Sequence, residues 1–75
     1  MKENRRGWQT VDGEKLRRLR GERMLSQQEL ATLAGATQAT ISNLERGERQ
    51  ARPRTVRRLA SALAVEPREL RVREG

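Results

Sequence analysis

The 75-residue chain contains no cysteine, no histidine, no tyrosine and no phenylalanine, and a single tryptophan, Trp8. Without cysteine there are no disulfides and no thiolate metal sites, and without histidine a zinc ion would find only carboxylates. No metal or other cofactor is therefore expected. The lack of His, Cys and Tyr, with no carboxylate pair in a plausible pocket, argues against an enzyme. No apolar run approaches the roughly 20 residues that span a bilayer, and Met1–Thr10 lacks the apolar stretch of a signal peptide. The chain reads as soluble, with no membrane partner, and as cytoplasmic. With one aromatic and no β-branched run, the core must be aliphatic, which favours thin helical packing over a sandwich or barrel.

What is abundant is positive charge. Seventeen Lys and Arg against ten Asp and Glu give a net charge of +7, and the pI is near 11.6. A domain this basic points first to a polyanionic partner, with a merely cationic soluble surface as the alternative. At this length the chain is one domain that buries about 60–65% of its unfolded surface.

The polar and apolar spacing predicts an all-α, compact five-helix domain over residues 12–72, between a flexible basic arm at 1–11 and a tail at 73–75. The arm carries Lys2, Arg5 and Arg6, which suit a minor groove or a phosphate backbone, and its last residues are placed to dock on the domain. Trp8 is expected to cover exposed core. Asp12 caps a first helix in which Leu16 and Leu19 share a face. Ser26-Gln27-Gln28-Glu29 is a capping box that starts a second helix, with Leu30, Ala31, Leu33 and Ala34 as its inner face and Gly35 as its end. Thr37 caps a third helix anchored by Ile41 and Leu44 and closed by Gly47. Pro53 begins a fourth, with Val56, Leu59, Ala60 and Leu63 inward, and Glu66-Pro67 begins a short fifth around Leu70 and Val72. Leu70 and Val72 are candidates for a dimer seam.

The second and third helices, broken by one glycine, have the layout of a helix-turn-helix at 27–46. Close crossing of the pair needs small residues, and Ala31 and Gly35 stand where that contact is expected. The outward face of the third helix keeps Gln38, Ala39, Ser42, Asn43 and Arg46, which is short and almost uncharged. From 46 to 58 six arginines face Glu48 alone. Arg46, Arg49, Arg52 and Arg54 are placed over a sugar-phosphate backbone, while Arg57 and Arg58 read as a solvated helix face.

Leu-Arg-Arg-Leu-Arg (16–20), Leu-Ser-Gln-Gln-Glu-Leu-Ala (25–31), Gly35, Thr-Ile-Ser-Asn-Leu-Glu-Arg-Gly (40–47) and Leu-Ala-Ser-Ala-Leu-Ala-Val (59–65) together resemble the Cro/repressor-type, XRE-like helix-turn-helix family. The resemblance covers Leu16 to Leu70 and implies a lambda-repressor-like five-helix DNA-binding domain. It implies that Gln27 contacts phosphate and supports Gln38, and that Arg20 and Glu45 pair as a structural brace. A glutamine amide donates and accepts at once, matching adenine N6 and N7, so Gln38 is the main base reader, with Ala39 near a thymine methyl and Ser42 at a base edge. Thr37, Asn43 and Arg46 suit phosphates.

The function expected is a sequence-specific, double-stranded-DNA-binding transcriptional regulator, repressor-like and homodimeric at least on DNA, located on the nucleoid when bound. No small-molecule ligand is evident. Phage-type repressors, restriction-modification controllers and toxin-linked antitoxins use this domain alike. The competing class is a helical adaptor or coactivator-type interaction module, which has no need of a short uncharged face such as Gln38, Ala39 and Ser42.

Overall fold

The computed structural model describes residues 7–72, so Lys2, Arg5, Arg6 and the tail at 73–75 lie outside the described residues. Four α-helices follow one another: α1 (Gly13–Glu22), α2 (Gln27–Ala34), α3 (Gln38–Glu45) and α4 (Pro53–Leu63). Each start has a local cause. The Asp12 carboxylate accepts from the Lys15 amide at 3.1 Å. At α2 the Ser26 hydroxyl accepts from the Glu29 amide at 3.0 Å while the Glu29 carboxylate accepts from the Ser26 amide at 2.8 Å, which satisfies two of the donors a helix leaves open at its N-terminus. Thr37 does the same for Thr40 at 3.1 Å, and Pro53 takes the first position of α4, where no amide is needed.

The helices end by turning left-handed. Gly35 leaves α2 at φ 68°, and Ala36 donates to the Ala31 carbonyl at 2.8 Å. α4 ends the same way at Ala64, φ 59°, where a Cβ makes this conformation costly. Gly35 answers the turn rather than the helix crossing: the atoms nearest an added Cβ belong to Arg58 of α4, not to α3. Ala31, fully buried, is the small residue on the inner face of α2.

Leu16, Leu30, Ile41, Leu44, Val56, Leu59, Leu63 and Leu70 form a fully buried aliphatic core, with Val11, Ala31, Ala34, Ala51 and Ala60 around them. Leu33 is not among them and is 59% exposed. At about 100° per residue, Leu30, Ala31 and Ala34 define an inward stripe that puts Leu33 more than a quarter-turn off its centre.

The fifth helix is reduced to one 3-10 turn at Pro67–Glu69. Leu70 is drawn into the core with no exposed surface, so it is no part of a dimer seam, while Val72 remains 44% exposed. A longer helix is prevented by pairing: Asp12 donates to the Leu70 carbonyl at 2.7 Å and Val72 to the Thr10 carbonyl at 3.0 Å. Gln9 and Ala51 exchange two backbone hydrogen bonds, of 2.8 and 2.9 Å. Residues 9–12 thus run between the loop after α3 and the end of the described chain, and Val11 joins the core. These two short backbone pairings are the only extended pairing among the described residues.

Candidate nucleic-acid interface

α2 and α3 pack against each other and bury Leu30, Ala31, Ile41 and Leu44 in the common core, while the opposite side of α3 faces outward. Gln38, Ala39 and Arg46 are exposed there and Ser42 and Asn43 half-buried. Their spacing at 38, 39, 42, 43 and 46 keeps all five on one side of the helix. Thr37 is exposed at its N-cap, its hydroxyl 3.0 Å from that of Thr40.

Behind this face runs a chain of polar contacts. Arg20, from α1, donates through Nε to Glu45 Oε2 at 2.6 Å and through Nη2 to Oε1 at 3.2 Å; its Nη1 donates to the Leu25 carbonyl at 2.8 Å. The two side chains are 17% and 5% exposed. The Glu45 hydrogen bond raises the Arg20 pKa above its already high ordinary value, against the opposing effect of burial. Gln27 Nε2 donates to Glu45 Oε1 at 3.1 Å, and Gln38 Nε2 reaches Gln27 Oε1 at 3.5 Å. The relay therefore joins α1, α2 and the first residue of α3.

A second cluster lies at the other end of α3. The Arg46 guanidinium donates to Ser42 Oγ at 2.6 Å and to Asn43 Oδ1 at 2.7 Å, and its Nη2 is 3.3 Å from Glu48 Oε1. Arg49, Arg52 and Arg54 are exposed beyond it. Arg52 lies 5.3 Å from the Trp8 ring centroid, within the range of a cation–π contact. Trp8, half-buried, thus stands beside the loop after α3.

Two positioning residues escaped the sequence reading. At Gly13 an added Cβ would collide with the carbonyl oxygens of Glu45 and Leu44, the latter at 2.6 Å. Only glycine lets the positive N-terminal end of α1 abut the negative C-terminal end of α3. Glu48 was visible as the lone acid among arginines, but its partner was not.

A helix pair with a small crossing, a short outward face and a basic loop behind it defines a DNA-binding domain of the helix-turn-helix class. The helix-turn-helix family pattern matches residues 16–70, and the chain belongs to that family. It is 46% identical over 54 residues to the HTH-type transcriptional repressor RghR of Bacillus subtilis, an alignment covering 71% of this chain and 40% of that protein. The chain thus spans less than half the length of that curated relative. Among solved structures it is similar to the restriction-modification controller protein C.AhdI from Aeromonas hydrophila, with 42% identity, TM-score 0.72, and 76% of this chain and 83% of that one covered. It is similar also to the P22 c2 repressor in complex with a synthetic operator, at 28% identity and TM-score 0.73, covering 76% and 86% of the two chains.

Proposed function

We propose that the chain is a transcriptional regulator of the repressor or controller type, which binds double-stranded DNA as a homodimer and reads the major groove with α3. The observation that carries the reading is the relay from Arg20 through Glu45 and Gln27 to Gln38. The Glu45 carboxylate only accepts, so Gln27 turns its amide nitrogen toward it and its oxygen toward Gln38. Gln38 then points one N–H at Gln27 and keeps its other N–H and its oxygen for an outside partner. That remaining donor and acceptor are the pair adenine N7 and N6 require.

Ala39 and Ser42 complete a small base-directed face. Gln27, Thr37, Asn43, Arg46, Arg49, Arg52 and Arg54 supply phosphate contacts, which fix register without reading sequence. Most of the affinity is then electrostatic and comes from the arginines outside the reading face. The repressor and controller relatives support regulation of transcription. By the geometry common to helix-turn-helix dimers, the half-sites lie about one helical turn apart. Such a protein works on the cytoplasmic nucleoid.

The test is selection of bound duplexes from a random pool by the intact chain and by Gln38→Ala. A two-fold consensus is expected, and Gln38→Ala should relax one base pair in each half, a loss of about 1–3 kcal/mol on the selected site only. Equal loss on selected and random duplexes would refute the role of Gln38. A pool that returns no consensus would favour the adaptor class instead.

A further inference from the structure

The outward face of α3 is occupied by the protein itself. The Arg46 side chain folds back along it, giving one nitrogen to Ser42 Oγ at 2.6 Å and another to Asn43 Oδ1 at 2.7 Å. The second nitrogen also faces Glu48 Oε1 at 3.3 Å. Glu48 is held there by the backbone: Gly47 turns the chain at φ 74°, and the Glu48 amide donates to the Asn43 carbonyl at 2.8 Å. The carboxylate is therefore placed beside the guanidinium by the end of the helix, and it is the only acidic group from 46 to 58.

We propose that Glu48 is a positioning residue that stands in for a DNA phosphate while the protein is free. A carboxylate and a phosphate present the same kind of oxygen to a guanidinium fork, and they compete for it. The Arg46 and Glu48 side chains are 56% and 58% exposed, so water reaches both and a phosphate can take the place of the carboxylate. When it does, Arg46 leaves Ser42 and Asn43, and those side chains become available to the groove and the backbone at the same moment. Three residues of the interface thus exchange partners together, and Glu48 sets how readily they do so. Its charge lowers affinity for every sequence, and it acts through Arg46. The proposal rests on the DNA-binding reading above.

The experiment is a four-member cycle of the full chain: the parent, Glu48→Gln, Arg46→Met and the double variant. Each is titrated with one selected and one random duplex over a range of KCl concentrations. Glu48→Gln keeps the shape and removes the charge at an exposed site, and a thermal melt checks that the fold is intact. It should tighten binding to both duplexes by about two- to fivefold, as suits the loss of one exposed ion pair, and steepen the salt dependence by up to about one phosphate equivalent. In the Arg46→Met background the gain should vanish. A gain of the same size in that background would mean that Glu48 simply repels the backbone, and would overturn the proposal, as would no gain at all. Failure of the parent to bind any duplex at low salt would overturn the DNA-binding reading, and this proposal with it. An additive cycle on a parent that binds overturns this one alone.

Discussion

Breaking the Arg20–Glu45 pair should cost more than most changes to so charged a surface. Glu45→Leu removes the acceptor of two hydrogen bonds from Arg20 and one from Gln27. It leaves a guanidinium only 17% exposed with the Leu25 carbonyl and limited water. Hydrogen bonds to charged groups contribute about 1.5–3 kcal/mol, and losing one partner of a fully buried pair costs about 3–5 kcal/mol. The residual exposure of Arg20 places the expected loss lower, at about 2–3 kcal/mol. In a domain of this size that corresponds to a fall in Tm of about 10–20 °C. Arg20→Met should do at least as much harm, since Glu45, at 5% exposure, is the more buried partner. The double variant, with two apolar side chains in place of the pair, should recover to within about 1 kcal/mol of the parent. Thermal and urea unfolding of the four proteins, followed by circular dichroism, yields the coupling directly. A coupling below about 0.5 kcal/mol would show that the pair behaves as a solvated surface contact, and the argument from burial would fail.

Further outcomes follow from single sites. Gly13→Ala should destabilise by more than about 2 kcal/mol, because its Cβ meets two carbonyl oxygens of α3, whereas Gly21→Ala, with nothing near its Cβ, should stabilise by about 0.5–1 kcal/mol; similar melting temperatures for the two would refute the close contact. Ala64→Gly should raise stability by about 0.5–1 kcal/mol, since the residue is left-handed at φ 59°; a lower urea midpoint would contradict this. Arg46→Ala should weaken selected and random duplexes alike and make the salt dependence shallower by about one unit, so a sequence-selective loss would place Arg46 at a base instead.

Whatever was encoded within one turn of helix could be read from the sequence. Asp12, Ser26, Glu29 and Thr37 cap the helices whose starts they suggested, because a cap needs only a side chain and an amide two or three residues on. The 3,4 spacing of Val56, Leu59, Ala60 and Leu63 likewise marked the buried face of α4. What could not be read depends on distant segments. Leu70 looked peripheral because its burial comes from a chain end tied back to Asp12, and Leu33 looked internal because its neighbours are apolar. Gly13 gave no signal, since the need for glycine arises from the end of a helix more than thirty positions later. The arginines after α3 announced a cationic surface, but charge counting could not reveal that Arg46 is already engaged with Ser42, Asn43 and Glu48.

The tie between Thr10 and Val72 has a practical meaning for topology. Thr10 and Val72 lie side by side, joined through backbone groups next to the buried Leu70. A short linker could close the ring there and new termini could be opened elsewhere, for instance in the exposed turn at Met24, without cutting a helix. A segment joined at Thr10 and another joined at Val72 would set out from one shared doorway, and the two would have to contend for it.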